Sequence, residues 1–310
     1  MFFENVRIAA QQVGILYIIV FIGAISDKIG LFTEKTAKAC TDLLFYIITP
    51  CVIIRSFLNQ EFTKETGIKL LIAVGCGFLM HLVAIVLNIP LYRKGDQEKN
   101  ILFRYSSIYG NVGYMTLPLT EAILGDEGVF YCSAVVMAFN AVSFTHGVYI
   151  MNNVDGKFDK KKLILNPGVL SVLIGLPLFL FKIKLPALIN EPISYLASMQ
   201  TPIAMLIFGT FLSHTKLNDI FKHKKILLVA FMKLLVLPAA MVGIYYLLGI
   251  TGTLLIALTI SACAPTANNT VMFAAKYNKD TSLAAQIVAT VSFMSIITIP
   301  LIIAAVQTIA

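Results

Sequence analysis

The chain has 310 residues, 58% of them hydrophobic and 13% charged, with a formal net charge of +8. The charged fraction is about half that of an average soluble protein, and long apolar runs alternate with short Lys-rich clusters, leaving no polar stretch large enough for a separate soluble domain. An ordinary soluble enzyme is excluded on composition, and the positive charge reads as membrane topology rather than as a nucleic-acid signal.

With roughly 20 apolar residues needed per crossing, the sequence predicts ten spans, at about 9–26, 37–57, 68–91, 100–123, 128–152, 164–181, 192–212, 226–248, 252–276 and 281–308. The sixth opens on a start signal, Asn166 as the cap and Pro167 in the first helical position. The seventh is least apolar at its beginning, which leaves a start nearer Ser198 open. No signal peptide is expected, because Glu4 and Arg7 do not make a basic head and no small-residue cleavage site follows a short apolar run.

Basic residues set the expected orientation. Loops after the odd-numbered spans hold 17 Lys and Arg, including Lys157, Lys160, Lys161 and Lys162, whereas the other side holds five: Arg7, Lys64, Lys69, Lys182 and Lys184. The odd loops are therefore expected in the cytoplasm and both termini outside the cell membrane. A faint repeat accompanies this arrangement. Gly14 and Gly168 are 154 apart, Thr49-Pro50 and Thr201-Pro202 are 152 apart, and Asp126 and Asp280 are again 154 apart. An odd number of spans per unit makes such a repeat inverted, with the second copy entering from the opposite face.

Two spans are interrupted at corresponding places, by Ser107-Ile108-Tyr109-Gly110-Asn111-Val112-Gly113-Tyr114-Met115-Thr116-Leu117-Pro118 and by Ser261-Ala262-Cys263-Ala264-Pro265-Thr266-Ala267-Asn268-Asn269-Thr270. Backbone that leaves the helix at membrane depth survives only where protein buries it or it lines a cavity. The half-helix after each break points its N-terminus inward, where free N–H groups favour an anion. Asn111, Asn268 and Asn269 add neutral donors, and Gly110 and Gly113 permit close approach of backbone and ligand. The pair reads as a nest for a carboxylate, with Gly110, Asn111, Gly113, Tyr114, Pro265, Thr266, Asn268 and Asn269 as its binding residues.

Pro265 with Met272-Phe273-Ala274-Ala275-Lys276-Tyr277-Asn278 resembles the ninth-helix signature of the auxin efflux carrier family, and Asn111-Val112-Gly113-Tyr114-Met115-Thr116-Leu117-Pro118 resembles its fourth-helix counterpart. The resemblance implies an all-α polytopic membrane protein of ten transmembrane helices in two inverted five-helix repeats, with helices four and nine broken and crossing at the midplane. Residues 1–153 and 164–310 are then the repeats, and 154–163 a short cytoplasmic linker. Helices one, two, six and seven would form a scaffold around a moving unit. Asn111 takes the place of an anion-contacting Asn and Pro265 that of a crossover proline, whereas Gly110 stands where plant carriers have a second crossover proline. The short linker marks a prokaryotic-type member, and such members are generally linked to small carboxylates such as malate or malonate. A homodimer is implied by resemblance alone.

Other polar residues fall inside spans. His81 lies mid-span and Lys233 about two turns into span eight; both are candidates for coupling or gating, against a packing role for His81 and snorkelling to the inner surface for Lys233. Arg55 reads as an interface anchor near the outer end of span two, and the role of His146 is open. No Asp or Glu occupies the centre of a span, so the usual carboxylate proton carrier is missing. Cys40, Cys51, Cys76, Cys132 and Cys263 read as small packing residues, and no metal, phosphate-loop or other enzymatic motif is present; neither a metal nor a cofactor is expected. The function expected is a secondary transporter moving a mono- or dicarboxylate by alternating access, driven by a proton, a sodium ion or neither. Two alternatives are a sodium-coupled organic-anion symporter of the bile-acid type and a non-transporting carboxylate-binding sensor in the bilayer.

Overall fold

A computed structural model describes residues 2–152, 167–214 and 224–310, with the side chains of residues 2–10, 12, 13, 114, 152 and 275 outside that description. The expected Asn166 cap, the 154–163 linker and several of the counted loop lysines also lie outside the described residues. Those described are overwhelmingly helical, and their only β-pairing is one isolated antiparallel bridge, Gly110 with Thr266.

In chain order the helices are α1 (Phe2–Lys28), α2 (Glu34–Leu58), α3 (Lys64–Asn88), α4 (Gln97–Ile108), α5 (Leu117–Met151), α6 (Pro167–Leu180), α7 (Ala187–Ser213), α8 (Lys224–Leu247), α9 (Gly252–Ala262), α10 (Asn269–Lys276) and α11 (Thr281–Val306). Six of them, α2, α3, α5, α7, α8 and α11, are long and apolar enough to cross a membrane. The apolar α6 and α9 are shorter. Helix α7 begins at Ala187, earlier than the sequence predicts, directly after Pro186, whose fixed φ suits a helix start. The connection expected between spans four and five shrinks to one residue: Gly125, at φ 63° and ψ −156°, divides α5 into two arms, a backbone geometry that only glycine adopts without strain.

Helix starts follow local chemistry. Thr63 and Thr66 form a reciprocal capping box at α3, Asp96 accepts from the Glu98 and Lys99 amides at α4, and Asp280 accepts from the Leu283 amide at 2.9 Å at α11. Packing between helices relies on small residues. A Cβ on Gly209 of α7 would stand 1.9 Å from the Val20 carbonyl oxygen, and one on Gly23 of α1 2.4 Å from that of Leu206, so the two backbones touch. An aromatic cluster ties α2 and α6 to α5: the Phe57 and Phe179 rings each lie 4.9 Å from Phe130. Helix α5 is the most enclosed of the six long helices, and α1, α2, α3 and α8 carry exposed apolar side chains such as Phe21, Tyr46, Leu71 and Phe231. An apolar exterior around an enclosed helix is what a bilayer solvent requires.

Candidate functional site

Helix α4 ends at Ile108, and Tyr109 is extended at φ −94° and ψ 117°. Helix α9 ends at Ala262, and helical structure resumes only at Asn269. The two breaks join each other. Asn111 N–H donates to the Pro265 carbonyl at 2.7 Å, and Ala267 N–H donates to the Tyr109 carbonyl at 3.0 Å, on either side of the Gly110–Thr266 bridge. The Thr266 hydroxyl donates to the Ser106 carbonyl at 3.0 Å. Backbone groups freed by each interruption are thus satisfied by the other, the condition under which irregular backbone is tolerated away from water.

Close approach depends on Gly110. A Cβ there would stand 2.9 Å from the Lys233 ammonium nitrogen and 3.0 Å from both the Cβ and the carbonyl oxygen of Ala264. Lys233 is fully buried and donates to the Ile108 carbonyl at 3.3 Å. Its ammonium does not snorkel to a surface; it caps the C-terminal end of α4, where unpaired carbonyls favour a cation. Gly110 and Lys233 therefore belong together, the glycine leaving the space that the ammonium uses.

Beside the junction lies a small cavity. Of the residues expected to bind, Asn111, Gly113 and Asn269 line it. Gly110, Pro265 and Thr266 form the junction itself, and Asn268 lies off the lining, its carbonyl accepting from the Val271 amide. The opposite wall was not anticipated. It consists of Phe45 and Thr49 of α2, Val136, Phe139 and Asn140 of α5, and Gly168 of α6. Thr49 donates to Gln200 Oε1 at 3.2 Å, which links this wall to α7. Only the Thr-Pro and Gly pairs of the repeat hinted at Thr49 and Gly168; Phe45, Phe139 and Asn140 looked like ordinary span residues.

With this geometry in place, the comparison with known proteins is specific. The sequence pattern of the family described as Membrane transport protein matches residues 8–303. The chain belongs to this family. It is the auxin efflux carrier family whose signatures the two breaks resemble. Among its relatives are an uncharacterized transporter of Methanocaldococcus jannaschii, 23% identical over 300 residues that cover 93% of this chain and 95% of that one, and an uncharacterized transporter of Methanothermobacter thermautotrophicus, 21% identical over 289 residues, 92% and 94% of the two chains. A putative malonate transporter of Rhizobium meliloti is 21% identical over 215 residues, 65% of this chain and 66% of that one.

In this membrane transport protein the remaining polar residues singled out by the sequence have distinct settings. His81 of α3 is 1% exposed; its Nδ1 lies 2.7 Å from the Gly77 carbonyl of its own helix, its ring packs against those of Tyr109 and Phe139, and its Nε2 has no partner among the described residues. His146 of α5 is half-buried, with Nδ1 2.7 Å from the Tyr109 hydroxyl. Arg55 is not a lone interface anchor. Its guanidinium contacts Glu121 at 2.5 Å and Asp126 at 3.1 Å, while Asn59 donates to Asp126 and Thr201 to Glu121, a cluster joining α2 and α7 to both arms of α5. At the other end of α4, Lys225 of α8 donates to the Lys94 carbonyl and to Asn100 Oδ1, and Lys279 pairs with Glu98. The three buried cysteines, Cys76, Cys132 and Cys263, are free thiols in the packed interior.

Proposed function

We propose that this protein is a secondary transporter that moves a small organic anion, a mono- or dicarboxylate, across the cell membrane by alternating access. In this reading the chain is two inverted five-span repeats, residues 1–153 and 164–310 about a cytoplasmic linker at 154–163, with both termini outside. The observation that carries it is the reciprocal pair of hydrogen bonds from Asn111 to Pro265 and from Ala267 to Tyr109. That pair fixes two helix starts, the Val112–Thr116 turn leading into α5 and the start of α10, beside one cavity lined by Asn111, Gly113, Asn140 and Asn269. Helix N-termini with amide donors suit a carboxylate without a full charge in the bilayer. The name of the Rhizobium meliloti relative, a putative malonate transporter, supports the same substrate class. In this reading alternating access opens the site by separating the Phe45–Thr49 wall from the junction.

Sodium coupling is the less favoured mode, because the Lys233 ammonium already serves the Ile108 carbonyl where a coupling cation would seek oxygen ligands. The test is flux of labelled malonate, malate and lactate into vesicles holding the purified protein, with sodium and pH varied separately. Asn111→Ala is expected to insert and fold as the parent does while losing most of the flux; unchanged kinetics refute the role of that side chain. Flux that requires sodium at constant pH would favour the bile-acid type of symporter, and carboxylate binding without flux would favour a sensor.

A further inference from the structure

We propose that His146 and Tyr109 form a proton-binding site linked to the anion site, so that proton occupancy of His146 favours anion occupancy of the junction. The inference rests on the anion-transport reading above. It starts from Tyr109, which holds the junction with its backbone and meets His146 with its side chain. Its carbonyl accepts the Ala267 amide at 3.0 Å, and its hydroxyl lies 2.7 Å from His146 Nδ1 and 3.2 Å from the Val142 carbonyl.

Two of the arrangements open to these three atoms differ by one proton. With a neutral His146 that carries its hydrogen on Nε2, the phenol donates to Nδ1. With a protonated imidazole both ring nitrogens donate, so Nδ1 donates to the phenol oxygen and the phenol must give its hydrogen to the Val142 carbonyl. Proton binding therefore reverses one hydrogen bond and redirects a second, with no atom having to leave its place. Histidine is the side chain that ordinarily changes charge between about pH 5 and 8. His146 is half-buried, whereas His81 is sealed.

The joint is tightly packed. A Cβ on Gly147 would stand 2.9 Å from the Tyr105 ring and 3.2 Å from the Tyr109 ring, and the Tyr105 hydroxyl pairs with Ser143 at 3.0 Å. Among the described residues, the groups facing His146 are Tyr105 and Arg104 from α4, Tyr109 just after it, His81 from α3 across the Tyr109 ring, and Tyr277 after α10 beyond Phe273. Lys233 of α8 lies at the junction itself, against Gly110. No carboxylate is among these described groups, and in this proposal the transported anion supplies the complementary negative charge. Asn140, on the cavity wall, lies six residues before His146 on the same helix, a rise of about 9 Å. A unit charge at that separation changes anion affinity on the order of tenfold in a partly screened protein interior, and the anion must raise proton affinity by the same factor.

The test uses full-length protein in nanodiscs with 15N-labelled histidine, the His146 resonance assigned by its loss in His146→Gln. Expected results are a His146 titration, a midpoint displaced by Tyr109→Phe, and a midpoint raised by saturating malonate or lactate. In vesicles, flux should increase as pH falls through that midpoint, His146→Gln should flatten the profile, and His81→Gln should leave it unchanged. The proposal is overturned if His146 does not titrate, if Tyr109→Phe leaves its midpoint in place, or if His146→Gln keeps the parental pH profile. Should no carboxylate move or displace the midpoint while Tyr109→Phe still does, the proton site stands and the anion reading falls.

Discussion

Replacing Gly110 with alanine tests the junction most directly. The added methyl would stand 3.0 Å from the Ala264 carbonyl oxygen and 3.0 Å from its Cβ, as well as 2.9 Å from Lys233 Nζ. The lysine end is flexible and can withdraw, but the Ala264 carbonyl belongs to the facing break and moves only if the two breaks part. Overpacking of this kind costs about 1–3 kcal/mol. Each of the two backbone hydrogen bonds that close the junction contributes about 0.5–1.5 kcal/mol net. Strain and closure are therefore comparable, and the closed junction should lose population by roughly 5- to 150-fold relative to the open one. Hydrogen exchange at the Asn111 and Ala267 amides reads that ratio, and vesicle flux reads its consequence. We expect Gly110→Ala to insert and purify normally, to exchange these two amides faster by that factor and to transport poorly. Gly75→Ala, whose Cβ meets nothing within 4 Å, is the matched control. A Gly110→Ala protein with both amides still protected and normal flux would refute the view that close approach at residue 110 holds the crossing together.

Two further outcomes follow from contacts away from the cavity. Gly209→Ala places a methyl 1.9 Å from the Val20 carbonyl oxygen, so α1 and α7 must separate; its thermal midpoint should fall well below that of Gly243→Ala, where the space is open, and equal midpoints would show that the two backbones do not touch. Arg55→Gln leaves Glu121 and Asp126 facing each other without a cation. The cost should be about 1–3 kcal/mol, between the ranges for exposed and buried pairs, and Glu121→Gln in the same background should recover part of it; no recovery in the double variant would mean that the three charges are not coupled.

The breaks were legible because proline, glycine and paired asparagines inside an apolar run weaken a helix just where the bilayer would otherwise enforce one. Their partner in space was legible as well, through the second break half a chain away. The repeat was less informative than its offsets promised. Gly168 lines the cavity, whereas a Cβ on its counterpart Gly14 meets nothing. Asp126 joins the Arg55 cluster, whereas Asp280 caps α11. Positions paired by their sequence offset thus do different things in the structure. The Arg55 cluster was hidden for a related reason: hydropathy places a charge along a helix axis but says nothing about the carboxylates that a neighbouring helix brings to it.

The far wall of the cavity was illegible for a different physical reason. Four π turns occur among the described residues, at Leu44–Ile48, Val112–Thr116, Ser143–Gly147 and Met232–Val236. Each carries a residue directed at the junction: Phe45 and Gly113 line the cavity, His146 meets Tyr109, and Lys233 meets Ile108. A π turn accommodates one extra residue and so rotates everything after it relative to the regular 3.6-residue period. Depth along span eight suggested snorkelling for Lys233, but depth does not show which way a π turn directs a side chain, and Phe45 carries no polar signal at all. The same insertion shifts the i to i+4 ladder and leaves a carbonyl open to other donors; Val142, just before the third π turn, accepts from both Thr145 and Tyr109. Irregular helix geometry is thus concentrated around the crossing, where regular helices would present only apolar side chains and already satisfied backbone.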